Sequence, residues 1–280
     1  MYQPHHVIIL VFILGICLGS FLNVVITRLP VMLMNQWRRE ARSALELTME
    51  PVTRFNLLLP ASLCPRCEHP IAWHDNLPLI GWIKRRGRCT HCQGRISLQY
   101  PLIELGGGLL ALAVLLLHGI SVSSLFIYAA CLVLLALSAI DFRTYLLPDI
   151  LTLPLLWAGL LYQLLFQPYM ISDAVIGAMG GYLVLWSFFW LFKLMTGKEG
   201  MGYGDFKLLA ALGAWLGWSF LPLLLILSAG LGALIGVTAQ TLHPHLRGTP
   251  LPFGPFLAIA GWLCLLMGNE LLALYLSVAG

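Results

Sequence analysis

The chain consists mainly of long apolar runs separated by shorter polar segments. A transmembrane helix needs about 20 mainly apolar residues, with about 17 to 25 tolerated. By that rule the sequence predicts about eight membrane-spanning helices and an all-α polytopic membrane protein. The predicted spans are residues 7–27, 102–119, 121–140, 151–167, 173–192, 207–219, 220–241 and 254–278. The sixth is short, and Trp218, Ser219 and Pro222 predict a tight turn before the seventh.

Composition supports this interpretation and excludes an ordinary soluble domain. Hydrophobic residues make up 59% of the 280 residues and charged residues only 10%, whereas a soluble domain carries about 25% charged residues. No Lys or Arg precedes the first apolar run, and Arg28 follows it. A cleaved signal peptide has the reverse arrangement. We therefore expect the first run to be a retained membrane anchor. Gly15 and Gly19 share one face of it and predict a close contact with another helix, with Asn23 hydrogen-bonded across that contact.

The positive charges predict how the chain is oriented. Eleven of the sixteen Lys and Arg residues fall between Arg28 and Arg95, and the others are Arg143, Lys193, Lys198, Lys207 and Arg247. With eight spans, all of these residues lie on one side of the membrane. Basic residues mark the cytoplasmic side. We therefore expect both termini to be periplasmic and the ionisable face to be cytoplasmic.

One polar segment, from Pro30 to Pro101, is long enough to form a domain outside the membrane. The sequence thus predicts a first transmembrane helix at 1–29, a cytoplasmic loop domain at 30–100 and a transmembrane core at 101–280. The loop domain contains two Cys-x-x-Cys pairs, Cys64 with Cys67 and Cys89 with Cys92, separated by 21 residues. Two such pairs at about this spacing predict a four-thiolate zinc site.

A structural role suits this zinc, because a loop of this size folds more readily around a metal. Two disulfides are the alternative, but the cytosol is reducing. A histidine could also replace one ligand; the nearby candidates are His69, His74 and His91. The other cysteines, Cys17, Cys131 and Cys264, lie within predicted spans and are interpreted as small packing residues.

Acidic residues beside predicted spans are costly and are candidates for function. Glu104 lies at the start of the second span, where a carboxylate suits a helix N-terminus, and Asp149 is placed to cap the fourth span. Asp141 ends an apolar run, where a carboxylate opposes the helix dipole. Asp205 follows Gly200, Gly202 and Gly204, and could be a simple helix cap or a functional group. Together, Asp141 and Asp205 predict a paired-carboxylate site on one membrane face.

Helix ends suggest separate proton roles for this pair. Asp205 lies near a helix N-terminus and Lys207, which both favour its ionised form, so we take it as the base for water. Asp141 lies near a C-terminus and is taken as the initial acid.

Several motifs in this order resemble the bacterial prepilin peptidases, a family of GxGD membrane aspartyl proteases. The motifs are Gly19–Val25 with Arg28-Leu29-Pro30, the paired CxxC motifs, Tyr100–Glu104, Asp141–Asp149, Gly202-Tyr203-Gly204-Asp205 and Pro252–Phe256. A single GxGD would be weak, but this set extends from about residue 12 to residue 257.

The resemblance implies a bifunctional enzyme of the bacterial inner membrane. Such an enzyme cleaves the basic leader of type IV prepilins or type II secretion pseudopilins and then methylates the new N-terminus with S-adenosylmethionine. It implies that Asp141 and Asp205 are catalytic, whereas Asp149 is the second, non-catalytic acid. The sequence itself shows no cofactor motif; Gly87 could allow close backbone approach, or simply shape a turn beside the cysteines. We expect lipid around the helices and no nucleic-acid partner.

Two other functions are compatible with parts of the pattern. A proton-coupled transporter could use membrane acids and broken helices, but here the acids gather at one face. A zinc-bearing scaffold would leave two aspartates in apolar surroundings without a role.

Overall fold

The structure is a computed structural model that describes residues 4–48, 55–198, 200–242 and 251–279. In these residues the regular structure is helical apart from two isolated β-bridges, which confirms the predicted all-α class. The helices are α1 (His5–Ala44), α2 (Ile80–Lys84), α3 (Gln99–His118), α4 (Val122–Thr144), α5 (Asp149–Phe166), α6 (Ile171–Thr196), α7 (Tyr203–Leu216), α8 (Leu221–Leu242) and α9 (Gly254–Ala279). Arg54 and Arg247, which contribute to the charge pattern, lie outside the described residues.

The chain is a multi-pass membrane protein. Among the described residues, seven helices are long and apolar enough to cross a bilayer, namely α1, α3, α4, α5, α6, α8 and α9. Each contains most or all of one predicted span. The predicted sixth span corresponds to α7, which has 14 residues. At 1.5 Å per residue α7 is about 21 Å long, shorter than a hydrocarbon layer of about 30 Å.

Helix α7 is short because protein surrounds it. From Asp205 to Trp215 all residues but Lys207 are buried, and the helix packs against α5, α6 and α9. Its C-terminal end passes through Gly217, with φ of 86°, into a 3-10 turn at Trp218–Phe220. This confirms the predicted turn before the seventh span. Since its neighbours cover α7, its length need not match the bilayer.

Helix α1 continues well beyond the predicted first span. It runs without interruption through Pro30 to Ala44, whereas the sequence predicted a loop from residue 30. The unbroken apolar run ends near Ile26, but residues 31–44 include many good helix formers such as Met, Gln, Arg, Glu and Ala. The end of the apolar run sets the end of the predicted span, whereas helix propensity continues the helix beyond it.

The chain forms two compact units, divided between Leu116 and Leu117. In the first unit, α1 and α3 approach closely through glycines. A Cβ added to Gly15 would lie 2.8 Å from the carbonyl oxygen of Gly107. Asn23 Nδ2 donates to the Tyr100 carbonyl across the same contact, at 3.0 Å. The predicted close helix contact with a bridging asparagine is confirmed.

In the second unit, glycines bring α6 and α7 into backbone contact. A Cβ on Gly177 or Gly213 would collide with the backbone of the other residue. The Trp215 indole N–H donates to the Leu155 carbonyl at 2.9 Å and so fixes α7 against α5. These contacts fix the depth and rotation of the helix that carries Asp205.

Candidate active site and metal centre

Asp141 lies in the last turn of α4, as the sequence predicted. The helix ends four residues later at Tyr145, which adopts the left-handed conformation and whose N–H donates to the Asp141 carbonyl. The Asp141 side chain is buried, although no arginine or lysine of the described residues forms an ion pair with it. A buried carboxylate at the negative end of a helix needs compensation from another element.

That compensation comes from the start of α9. The backbone N–H of Gly254, the first residue of α9, donates to Asp141 Oδ2 at 3.0 Å. A Cβ on Gly254 would lie only 2.6 Å from the same oxygen. The positive end of α9 therefore faces the carboxylate, and only a residue without a side chain allows this approach. In the sequence Gly254 stands out only as part of the Pro252–Phe256 motif, and no contact with Asp141 was predicted for it.

Asp205 lies in the first turn of α7, but it is not the helix cap. The N-cap is Gly202, and Asp205 is the third helical residue. The Gly202 N–H is hydrogen-bonded to the Asp205 carboxylate, while Asp205 Oδ1 is buried and has no hydrogen-bond partner. The interpretation of Asp205 as a simple N-cap is therefore wrong, because Gly202 occupies that position.

The two carboxylates belong to one site. Asp141 and Asp205 are 5% and 7% exposed, and they are close enough for mutual electrostatic repulsion. Helix α9 packs against both α4 and α7 and so connects the two elements that carry them. Like charges in close contact do not both ionise cheaply, so such a pair holds one proton between its two members.

Lys207 does not serve this pair. Its Nζ lies 2.7 Å from both carboxylate oxygens of Asp149, and it joins the first turns of α7 and α5. The expectation that Lys207 supports ionised Asp205 is therefore wrong. The prediction that Asp149 caps the fourth span is also wrong, because Pro148 is the N-cap and Asp149 is the first helical residue. Distance along the chain suggested these roles, but the packing of α5 on α7 decides them.

The glycine before Asp205 has a packing role. A Cβ on Gly204 would lie 2.6 Å from Leu147 Cβ, in the loop that joins α4 to α5. Gly204 thus allows the first turn of α7 to approach this loop closely. On the other side of α7, Tyr203 and Phe206 form an aromatic cluster with Phe189 of α6. Both contacts position the first turn of α7.

The four predicted metal ligands come together in the first unit. The Sγ atoms of Cys64, Cys67, Cys89 and Cys92 all lie within 4.8 Å of one another. The distances are 3.8 Å between Cys64 and Cys92 and 3.9 Å between Cys67 and Cys89. A tetrahedral site with Zn–S bonds of about 2.3 Å has sulfurs about 3.8 Å apart. The arrangement therefore has the dimensions of a four-thiolate metal centre.

Two similar turns present these sulfurs. Cys64 N–H donates to the His69 carbonyl at 3.0 Å, and Cys89 N–H donates to the Gly94 carbonyl at 2.9 Å. The N–H groups of Cys92 and His91 lower the pKa of the Cys89 thiol to about 6. Those of Arg66 and Cys67 lower the pKa of Cys64. Thiolates are the form that binds metal. His69 and His91 stack on each other with ring centroids 4.7 Å apart and lie outside the four-sulfur cluster.

Glu104 has a different environment from the predicted one. It lies in the second turn of α3, is 7% exposed, and accepts the N–H of Leu79 at 2.8 Å. The proposal that it compensates the N-terminus of its own helix is wrong; it holds the turn before α2, where Leu79 has φ of 58°. Gly87 also has positive φ, 66°, and a Cβ added there would lie 2.7 Å from the Trp82 indole. The conformation at Gly87 fits the turn interpretation.

Two protein families and several named proteins match the sequence of this chain. Residues 13–118 match the bacterial peptidase A24 N-terminal domain, and residues 127–237 match the type IV leader peptidase family. A protein of Aeromonas salmonicida named prepilin leader peptidase/N-methyltransferase is 53% identical, over 96% of this chain and 93% of its own length. Proteins of the same name from Pseudomonas putida and Pseudomonas aeruginosa are 50% and 49% identical, each over 99% of this chain and 96% of its own length. No solved structure matches the chain significantly.

The two matched regions contain the four cysteines and the two buried aspartates respectively. The relatives match nearly end to end at about half identity. These findings confirm the resemblance seen in the sequence, and the chain belongs to the type IV leader peptidase family, together with the prepilin leader peptidase/N-methyltransferases.

Proposed function

We propose that this protein cleaves the basic leader peptide from type IV prepilins or type II secretion pseudopilins and then methylates the new N-terminal amine. The observation that supports the peptidase step is the pair of buried carboxylates at the end of α4 and the start of α7. The names of the relatives support both activities. The transporter alternative finds no support among the relatives.

Asp141 and Asp205 are the proposed catalytic residues. The ionised member of the pair takes a proton from a water molecule, whose oxygen attacks the scissile carbonyl carbon. The protonated member donates its proton to the peptide nitrogen as the C–N bond breaks. One shared proton is therefore enough to begin the cycle, and the proton taken from water leaves the pair singly protonated again once the C–N bond has broken. The unpartnered Asp205 Oδ1 is an acceptor available to that water.

The charge pattern supports a cytoplasmic active site in the bacterial inner membrane. If α7 crosses the membrane as the predicted sixth span, which brings the total to eight, the start of α7 and the end of α4 face the same side as the basic loops. Both termini are then periplasmic. A prepilin has a basic leader in the cytosol and an apolar helix in the membrane, so its scissile bond lies at this level. We also propose that the chain divides into an anchor (1–29), a metal-binding loop domain (30–100) and a peptidase core (101–280).

Zinc is the proposed metal of the four-cysteine centre, because its radius and tetrahedral preference fit the sulfur spacing. All four ligand positions are occupied by sulfur, so the role is structural. S-adenosylmethionine is the proposed methyl donor and supplies an electrophilic methyl group when bound. Residues of the first unit fit such a ligand, since a cavity there has polar atoms without partners.

Cleavage of purified prepilin in detergent tests the peptidase assignment. Asp141→Asn and Asp205→Asn should each lower the cleavage rate by about 10⁴-fold, the order of loss seen when one catalytic carboxylate is removed. Both variants should still methylate a pilin supplied in mature form. Asp173→Asn, at the N-terminus of α6, is the matched control and should cleave normally. Normal cleavage by either of the first two variants would disprove the assignment.

A further inference from the structure

The short helix α2 is tied to the end of a transmembrane helix. The N–H of Leu79, the residue before α2, donates to Glu104 Oε2 at 2.8 Å. Glu104 lies in the second turn of α3, a helix of 20 residues. At 1.5 Å per residue α3 is about 30 Å long, so it needs its whole length to cross a hydrocarbon layer of about 30 Å. Its second turn therefore lies near the boundary between hydrocarbon and headgroups, and so does the start of α2.

Helix α2 is too short to leave this boundary. It has five residues, Ile80–Lys84, and extends about 7.5 Å, whereas the headgroup layer on each side of the hydrocarbon is about 5 to 8 Å thick. Its rotation is also fixed, because Gly81 faces the interior of the first unit, where a Cβ would collide with the Asp75 carbonyl. All of α2 therefore lies within or beside the headgroup layer, with Gly81 facing inward.

The outward face of α2 is apolar. Ile80 and Ile83 are three residues apart and so share one side of the helix; they are 63% and 65% exposed. Leu77, in the turn before α2, is exposed as well. Apolar side chains on one face of a helix at the membrane boundary insert between the headgroups and the acyl chains. The position of this face therefore matches the level at which a bilayer accepts it.

The segment around this face is basic. Between residues 76 and 103 the sequence contains no Asp or Glu, but it contains five basic residues, namely Lys84, Arg85, Arg86, Arg88 and Arg95. Lys84 and Arg85 are bound to Asp75. Arg86, whose N–H donates to the Ile83 carbonyl at 3.0 Å, is exposed and forms no ion pair within the described ranges. Cationic side chains beside an apolar face complement the negative charge of anionic lipids.

We propose that α2 docks on the bilayer that surrounds the transmembrane helices. Ile80 and Ile83 enter the acyl chains, and Arg86 binds the phosphate of an anionic phospholipid. Because Cys89 and Cys92 follow α2 within a few residues, this contact holds the four-cysteine centre against the membrane surface. The docking face contains neither Asp141 nor Asp205, so it is separate from the proposed peptidase chemistry.

Photocrosslinking of the full-length protein in nanodiscs with equal amounts of phosphatidylglycerol and phosphatidylcholine tests the docking. Ile83→p-benzoylphenylalanine should give lipid adducts in mass spectrometry of the peptides, at least about tenfold more than Leu45→p-benzoylphenylalanine. Leu45 is equally exposed, at 69%. It lies 22 residues beyond Asn23 along α1, about 33 Å, and Asn23 is bonded to Tyr100 at the start of α3. Equal lipid labelling at positions 83 and 45 would overturn the proposal.

The mass of each adduct also identifies the lipid. Phosphatidylglycerol adducts at position 83 should exceed those of phosphatidylcholine, and Arg86→Gln should lower this preference about fivefold, the effect of removing one cation near an anionic surface. Arg39→Gln, an exposed arginine of α1, is the matched control and should leave the preference unchanged. An equal effect of the two arginine variants would overturn the role of Arg86.

Crosslinks to protein would identify a different cover for the same face. Adducts between position 83 and peptides of residues 117–280, or a covalent dimer of the chain, in place of lipid adducts would show that protein covers Ile80 and Ile83. Either result would overturn the docking on lipid. Prepilin cleavage by each variant at the rate of the unmodified protein verifies that the labelled proteins are folded, since none of the changed residues belongs to the peptidase site.

Discussion

Replacing Gly254 by alanine tests how precisely the Asp141 carboxylate must be positioned for cleavage. The new Cβ would lie 2.6 Å from Asp141 Oδ2 and 3.1 Å from its Cγ, whereas ordinary carbon contacts begin near 3.4 Å. The carboxylate or the start of α9 must therefore move by about 0.8 Å, because neither atom can be compressed. The same movement stretches the 3.0 Å hydrogen bond from the Gly254 N–H.

A misplacement of about 1 Å costs about 10²-fold in rate, equivalent to about 2.7 kcal/mol of barrier. We therefore expect Gly254→Ala to cleave prepilin about 100-fold more slowly. Methylation of mature pilin should stay normal, because the Asp141–Asp205 pair is proposed to act only in the cleavage step. The assay is the initial rate of leader removal by purified protein, with a separate methyl-transfer assay on the same preparation.

Gly230→Ala is the control for a glycine-to-alanine change in a helix. Nothing lies within 4 Å of a Cβ at that position in α8, so its cleavage rate should equal that of the unmodified protein. If Gly254→Ala is folded and cleaves within about threefold of Gly230→Ala, a displacement of the Asp141 carboxylate by about 1 Å does not slow the reaction, and the reasoning is refuted.

Three further predictions concern the supporting structure. Cys89→Ser should lose most of the bound zinc, as measured by elemental analysis of purified protein. Cys17→Ser changes an exposed cysteine of α1 and should retain the zinc. Equal zinc content in the two variants would contradict the metal assignment. Gly213→Ala should lower the melting temperature relative to Gly230→Ala, because overpacking against the α6 backbone costs about 1–3 kcal/mol; equal melting temperatures would show that the helices can separate without cost. Lys207→Gln should change the cleavage rate by less than about fivefold, since an exposed ion pair contributes about 0–1 kcal/mol. A loss of about 100-fold would show that Lys207 acts on the Asp141–Asp205 pair.

The sequence predicted the parts of this structure that depend on local composition. Apolar runs located the transmembrane helices, and the Cys-x-x-Cys spacing located the four sulfurs. Gly15 and Asn23 correctly indicated a close contact between helices, because small residues and single polar groups have few other uses inside a membrane. In each case the signal lies within a few neighbouring residues.

The incorrect predictions concern partners that are distant in the sequence. Lys207 was assigned to Asp205, two residues away, but it pairs with Asp149, 58 residues away. Glu104 was assigned to its own helix, but it accepts an N–H from Leu79, 25 residues away. The contact of Gly254 with Asp141 spans 113 residues and had no local signal. Helix packing decides these contacts, and a single sequence does not encode it in a readable pattern.

The contact between Gly254 and Asp141 also has a consequence for biogenesis. Gly254 begins α9, the last helix of the described chain, whereas both aspartates precede it. During synthesis, Asp141 and Asp205 enter the membrane before the N–H that holds Asp141 has been translated. A partly made chain therefore contains both acids but an unassembled site. The order of the helices along the chain therefore delays assembly of the site until the start of α9 has been made.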